Sequence, residues 1–193
     1  VCQKCRGHFH VQEVLHPARK AVAAAPEQRR VLCFDCGAEL EVPATAESTM
    51  CKRCSRYVDL KDYKIANAVS KNFKTKGKFI VEAKGFVFNT EAIVGQAVIK
   101  GRFFGKLTAE QSLTIYSTAE IQGSFRTARL VIPAANHFRW HEPIKVVSAE
   151  ISGELANHLH AEGTVVLRAT ARLFGDLVAG QLVVEEGAVV VGS

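Results

Sequence analysis

The sequence has little of what membrane and secreted proteins require. No uncharged apolar run among its 193 residues approaches the roughly 20 residues of a membrane helix. The opening letters VCQKCRGHFH include neither the apolar stretch nor the cleavage site of a signal peptide. We therefore expect no transmembrane segment and a cytoplasmic location.

Motifs of enzymatic catalysis are also missing. The sequence contains no Walker loop, no GxSxG elbow, no HExxH helix and no plausible pair of catalytic carboxylates. We therefore expect that the chain is not an enzyme. Residues 79 to 193 also have no helical periodicity of useful length.

Cysteine is absent after residue 54, and all six cysteines occur in CxxC pairs. In a chain without a secretory signal such pairs indicate metal or redox chemistry in place of disulfides. A thioredoxin-like redox role would need a βαβ context that this region lacks. Apolar residues alternate after each pair, as in Leu40 and Val42, which predicts a short strand there.

The second and third pairs are separated by fourteen residues. This spacing lets two CxxC turns, which we call knuckles, complete one tetrahedral metal site. Because four thiolates leave no open position for water, the ion would stabilise a small fold and would not catalyse. The predicted ligands of structural Zn²⁺ are Cys33, Cys36, Cys51 and Cys54. The first pair could bind a second metal with nearby histidines, could belong to a ribbon that begins further upstream, or could be metal-free. Its candidate ligands are Cys2, Cys5, His8, His10 and His16.

Positive charge is concentrated in segment 1–78, which holds 15 Lys and Arg against 8 Asp and Glu. The rest of the chain holds 10 against 11. A basic arm beside a neutral body suggests an anionic partner such as nucleic acid or a membrane surface, and a solvated linker is the plain alternative. The candidate anion contacts are Lys52, Arg53, Arg56, Lys74, Lys76 and Lys78.

A repeat of the form Ala-x-aliphatic-x-Gly-x-Phe/Leu organises residues 79 to 193. Apolar residues alternate strictly around its copies, and a period of two belongs to strands with one buried face. The copies begin at Ala97, Ala119, Ala149, Ala171 and, in truncated form, Ala188. The shortest step, between the last two copies, also separates Leu113 from Leu130, so it is the expected length of one coil. The longer steps predict insertions at corners.

Coils of this length with three short strands predict a triangular β-helix, in which strands of successive coils stack about 4.8 Å apart. The repeated glycine would turn a corner where a Cβ would collide or where φ is positive. The largest predicted insertion is 134–146, a loop whose Trp140 would either form a contact surface or, as we favour, pack on the flank of the helix. Segment 61–78, with six lysines, is expected to be a basic linker.

The segments AEIQGSF, AEISGEL and ARLFGDLVAGQLVVEEGAVVVG resemble the bactofilins, which are bacterial cytoskeletal proteins. The resemblance implies a right-handed β-helix that polymerises end to end without nucleotide and serves as a scaffold for cell shape, envelope or chromosome-associated machinery. It also implies a cytoskeletal location. Contact with the inner face of the membrane would be made through partners, because a zinc module replaces the family's short tail or membrane-targeting segment.

We therefore predict an all-β chain, a right-handed parallel β-helix (triangular solenoid) preceded by a small zinc-ribbon module. The predicted domains are the zinc ribbon at 1–60, the basic linker at 61–78 and the β-helix at 79–193.

The ends of an open β-helix expose unpaired backbone groups, which natural solenoids either cap or use for assembly. The apolar ending LVVEEGAVVVG has no polar cap, so we expect one polymer contact there. The candidate polymer contacts are Val189, Val190 and Val191 at one end, with Phe79, Ile80, Val81, Phe86 and Phe88 at the other.

The predicted function is a polymerising scaffold that binds itself and cytosolic or envelope-associated proteins, with the zinc ribbon for localisation or partner binding. One alternative is a nucleic-acid-binding protein that uses the β-helix to oligomerise. Another is a β-helical acyltransferase-type enzyme with a histidine such as His158 or His160. The repeat steps do not keep the sixfold register of that enzyme class.

Overall fold

The computed structural model describes residues 27–192. These residues contain no helix, and they form two antiparallel hairpins followed by strands that all pair in parallel. We call residues 27–60, which contain both hairpins, the knuckle module. The hairpins are β1 (Gln28–Leu32) with β2 (Glu39–Pro43), and β3 (Ser48–Met50) with β4 (Tyr57–Asp59).

The remaining strands wind into a parallel β-solenoid that supports the fold class predicted from the sequence. They are β5 (Tyr63–Ile65), β6 (Ala68–Val69), β7 (Phe73–Val81), β8 (Phe86–Ile99), β9 (Arg102–Ile115), β10 (Glu120–Ile132), β11 (His137–Arg139), β12 (Ile144–Val146), β13 (Ser148–Ile151), β14 (Glu154–Ala156), β15 (Leu159–Leu167), β16 (Arg172–Phe174), β17 (Leu177–Val184) and β18 (Val189–Val191).

Each coil contributes one strand segment to each of three faces, and inward side chains stack into a ladder along each face. The first-face ladder is Tyr63, Phe79, Ala97, Leu113, Leu130, Ala149, Val165 and Leu182. On the second face, Val69, Val87, Phe103 and Ile121 form one ladder. Phe138, Leu155, Leu173 and Val190 form a second ladder in a separate four-stranded sheet. The third-face ladder is Phe73, Ala92, Leu107, Phe125, Ile144, Leu159 and Leu177. These ladders enclose one continuous apolar core.

The repeated motif occurs at two different corners of the solenoid. The copies at Ala97 and Ala149 lead from the first face to the second, whereas those at Ala119, Ala171 and Ala188 begin on the second face and lead toward the third. The predicted insertions at corners are therefore wrong. Some copies are separated by more than one coil length because the second copy lies at a different corner from the first. The chain then runs through a full coil and on to that other corner.

The steric role predicted for the repeated glycine is confirmed at the second corner. Gly123 and Gly175 have φ of 111° and 130°, a region that side chains with a Cβ rarely adopt. A Cβ on Gly123 would lie 2.2 Å from the carbonyl oxygen of Gly105, and one on Gly175 would lie 2.4 Å from that of Asn157. Only glycine lets neighbouring coils approach this closely.

Segment 61–78 belongs to the solenoid and is not a linker. It forms β5, β6 and the first half of β7, which pair with the following coil. Lys64, Lys74 and Lys78 are exposed on the outside, while Ile65 and Phe73 are buried in the core. The alternation typical of a strand is therefore present. The lysines at its outward positions give the segment the composition of a basic linker.

Segment 134–146 is also part of the solenoid and not a loop that leaves it. It contains β11 and β12, which pair with β14 and β15 of the next coil. Phe138 is buried, and the ring of Trp140 packs at 5.0 Å against that of Phe125, so the favoured prediction for Trp140 is confirmed. The buried Asn157 amide donates to the carbonyl oxygens of Trp140 and Glu142 and accepts from the amide of Ile144. These bonds replace the strand ladder at the turn.

Candidate metal centre and candidate assembly surface

The two CxxC pairs in the described residues occupy equivalent turns, each at the tip of one hairpin. Gly37 donates its amide hydrogen to the carbonyl of Cys33 at 3.1 Å, and Ser55 donates to that of Cys51 at 2.8 Å. Gly37 and Ser55 also share a left-handed backbone, with φ of 67° and 56°. This shared turn aims both sulfurs of each pair in the same direction.

The four sulfurs of Cys33, Cys36, Cys51 and Cys54 all lie within 4.8 Å of one another. The Sγ atoms of Cys33 and Cys54 are 3.6 Å apart, and those of Cys36 and Cys51 are 3.5 Å apart. A Zn–S bond of about 2.3 Å in a tetrahedron requires sulfurs about 3.8 Å apart, whereas a disulfide needs about 2.05 Å. The sulfurs are free thiols, and their arrangement fits one tetrahedral metal ion. The four cysteines can therefore bind a metal.

The thiols of this cluster have unequal pKa values. The backbone amide of Asp35 lowers the pKa of Cys33, and the amide of Cys54 lowers the pKa of Cys51 to about 6. The amide of Arg56 acts in the same direction on Cys54, but burial and the neighbouring sulfurs outweigh it and raise the pKa of Cys54 to about 12. Four thiolates at these distances repel one another, so full ionisation requires a cation at their centre.

The knuckle module is fixed to the solenoid by the two residues between Cys33 and Cys36. The Nζ atoms of Lys74 and Lys76 lie 5.0 and 3.8 Å from the ring centroid of Phe34, and Lys74 also pairs with Asp35 at 3.5 Å. Lys76 is only 7% exposed and pairs with Glu110 at 2.5 Å. Lys74 and Lys76 were expected to contact an external anion, but internal partners occupy both.

Other predicted cations do face solvent. Lys52, Arg53 and Arg56 are exposed on the second knuckle, and Lys78 is exposed on the solenoid. None of their side chains has an acidic partner within residues 27–192. They stay candidates for anion contact.

Two further cations were missed by sequence reasoning. Arg126 and Lys145 are isolated in the sequence, but successive coils bring them to equivalent outward positions on the third face. Both line the same groove. A search for like charges one coil apart would have found them.

The last coil of the solenoid leaves its inward apolar positions open to solvent. Leu182, Val184 and Val190 are 47%, 51% and 44% exposed. Their counterparts one coil earlier, Val165, Leu167 and Leu173, are each 0% exposed. Within residues 27–192 no coil stacks on this end. The predicted contacts Val189, Val190 and Val191 lie on this exposed coil.

The residues predicted for the opposite polymer end are placed differently. Phe79 and Val81 are completely buried, because β5 stacks on them and contributes a preceding coil. Phe86 is half-buried on the outer side of the second face, where its ring contacts those of Phe88 and Phe104. The predicted contact role of Phe79 and Val81 is therefore wrong, and the error follows from treating 61–78 as a linker.

A parallel solenoid with an apolar, uncovered terminal coil is typical of proteins that assemble through their ends. A family model described as "Bactofilin: Polymer-forming cytoskeletal" matches residues 57–141 and 139–193. The chain therefore belongs to the bactofilin family. A comparison with curated proteins and one with solved structures each found no match.

The family match begins within the second hairpin, so it covers segment 61–78 together with the later coils. The knuckle module before β4 lies outside it. Within residues 27–192 no helix is long and apolar enough to cross a membrane.

Proposed function

We propose that this chain is a nucleotide-independent, polymerising scaffold of the bacterial cytoplasm that organises partner proteins and contributes to cell shape. The knuckle module would hold structural Zn²⁺ through its four cysteines and serve as a localisation or partner-binding module. It would act at the inner face of the membrane only through partners. The absence of enzymatic activity is part of this proposal.

The exposed terminal coil is the observation that supports assembly most directly. Its inward apolar residues are equivalent to residues that are fully buried in the preceding coil. Its strands also have unpaired backbone groups along one edge. A second molecule stacked on this edge would bury the apolar residues and satisfy the backbone groups together. No nucleotide is needed for such a contact.

Electron microscopy of the purified chain at micromolar concentration without nucleotide tests this proposal. Wild-type protein should form filaments or sheets of uniform width, and Val190→Glu should abolish them because it places a charge in the buried contact. The matched control is Val98→Glu, which adds the same charge on the outer side of an internal coil and should leave polymers intact. Monodisperse wild-type particles across salt and pH would contradict the proposal, as would normal polymers of Val190→Glu.

Nucleic-acid binding is a second candidate function, supported by the exposed and unpaired cations Lys52, Arg53 and Arg56 on one knuckle. Phosphate contacts weaken steeply with added salt. We expect duplex DNA binding at low salt that falls as salt rises and that is lost in a triple substitution of these residues to glutamine. Indifference to DNA at low salt would remove this function.

A further inference from the structure

A groove with a volume of about 860 Å³ separates the knuckle module from the third face of the solenoid. Arg30, Val31 and Leu32 line it in succession. Because consecutive residues of a strand point to opposite faces, the groove runs along an edge of β1. The lining includes no residue of β2, so this edge is the one that β2 leaves free.

The free edge of β1 offers backbone hydrogen-bonding groups to another strand. Within residues 27–192 β1 pairs with β2 alone. An extended peptide that lies in the groove could add a third strand to this hairpin, a mode of recognition in which backbone bonds give affinity and alternate side chains give specificity. The groove is within the size range of sites that enclose ligands.

The charges on the floor of the groove indicate the chemistry of such a peptide. Arg126 and Lys145 lie on the floor and have no acidic partner within the described part of the chain. The nearby Glu110 is already paired with Lys76. Glu162 also lines the groove and offsets one of these two charges, so the floor keeps a net positive charge, which favours an acidic ligand.

Apolar residues on both sides of the groove complete this pattern. Leu32 on the module is 56% exposed, and Val147 on the solenoid is 52% exposed. Large apolar side chains at this exposure in a concave site mark a contact surface. A strand that alternates apolar and acidic residues would match both features, because alternate side chains point to opposite sides.

The chain's own residues 1–26 do not fit this chemistry. They contain four basic residues, Lys4, Arg6, Arg19 and Lys20, against the single acidic residue Glu13. A positive segment beside a positive floor is unfavourable. Charge complementarity therefore favours a separate partner.

We propose that this groove binds an extended acidic segment of a partner protein, which adds a strand to the free edge of β1 and pairs its carboxylates with Arg126 and Lys145. The proposal deepens the partner-binding role proposed for the knuckle module. It does not depend on polymerisation, since neither cation lies on the terminal coil.

The test uses the full chain and a fluorescent heptapeptide of alternating glutamate and valine, with binding followed by fluorescence anisotropy. The double variant Arg126→Glu, Lys145→Glu should bind at least about tenfold more weakly than the wild type. The control Arg139→Glu, Arg172→Glu makes the same charge change at exposed cations of the second face and should bind within about twofold of the wild type. Leu32→Ser should bind several-fold more weakly.

Absence of wild-type binding at about 1 mM peptide would overturn the proposal, as would equal losses in the double variant and its control. Tighter binding of a single-stranded oligonucleotide than of the peptide, with the same dependence on Arg126 and Lys145, would assign the groove to nucleic acid instead. Electron microscopy of the same variants separates this result from the scaffold proposal, because polymers should persist in all of them.

Discussion

The knuckle module and the solenoid bury their interiors in different ways. Within the described chain, the module has a core of seven buried residues, two of which belong to the four-cysteine cluster. The solenoid core is a much larger and continuous cluster that extends from Ile65 to Leu173. A fold as small as the module cannot bury enough apolar surface to be stable alone and needs a metal or another cross-link, whereas each solenoid coil is stabilised by the coils beside it. Loss of a key stabilising interaction should therefore unfold the whole module. In the solenoid the same kind of loss should only lower the stability, by an amount that depends on the coil.

Loss of the proposed Zn²⁺ should give the largest difference in stability between the two regions. Structural Zn²⁺ contributes about 10–16 kcal/mol of apparent folding free energy in small zinc peptides. Cys51→Ser or a strong chelator should unfold residues 27–60 while the solenoid persists. Hydrogen exchange followed by mass spectrometry would show fast exchange in the module and unchanged protection in the inner coils.

The matched control for this experiment is Ser48→Ala, which alters the same hairpin and leaves all four sulfurs in place. It should keep one tightly bound zinc per cluster by elemental analysis. If Cys51→Ser left the module protected, the metal would not be what stabilises it. If the whole chain unfolded in a single step, the comparison between the two regions would fail.

Removal of apolar volume from the solenoid should have an effect that depends on the coil. Leu113 is 0% exposed and Leu182, in the same ladder, is 47% exposed. Leu113→Ala should lower the free energy of unfolding by about 2–5 kcal/mol because it creates a cavity. Leu182→Ala should lower it by less than about 1 kcal/mol, measured by urea unfolding below the polymerisation concentration.

The same two variants also test the assembly contact. Above the polymerisation concentration Leu182→Ala should weaken filaments, whereas Leu113→Ala should form them when folded. Equal unfolding free energies for the two variants would mean that the last coil is covered in the isolated molecule.

Substitution of a glycine should give the smallest difference in stability between the module and the solenoid. In the solenoid, Gly123→Ala combines a positive φ with a close backbone contact and should cost at least about 1–3 kcal/mol. In the module, Gly37 has a positive φ but nothing lies within 4 Å of its missing Cβ, so Gly37→Ala should cost only about 1 kcal/mol. Thermal unfolding with zinc present would rank the stabilities of the two variants. A larger loss of stability for Gly37→Ala than for Gly123→Ala would contradict the steric argument.

Sequence reasoning predicted the four-cysteine cluster because its geometry is encoded locally. A CxxC knuckle is a turn of a few residues, so Cys33, Cys36, Cys51 and Cys54 were predicted together and lie within 4.8 Å. The solenoid was likewise predicted from the period of two and the coil-length repeat. Errors arose where outward residues concealed the alternation, as at 61–78, or where one motif served two corners, as at Ala97 and Ala119.

The groove and the placement of cations depended on tertiary structure alone. Lys76 resembles any other lysine in a basic stretch, but stacking of the module buries it against Phe34 and Glu110. Arg126 and Lys145 are distant in sequence and become neighbours only because they lie one coil apart on the same face.

The sequence by itself determined the local elements of this protein, because strand alternation, corner glycines and CxxC turns are set by interactions between near neighbours. The tertiary structure decided which of these elements are covered. Phe79 and Val190 are both apolar strand residues, yet one is 0% exposed and the other 44%. Exposure is decided by whether another coil or module stacks on a strand, and that contact lies far away in sequence.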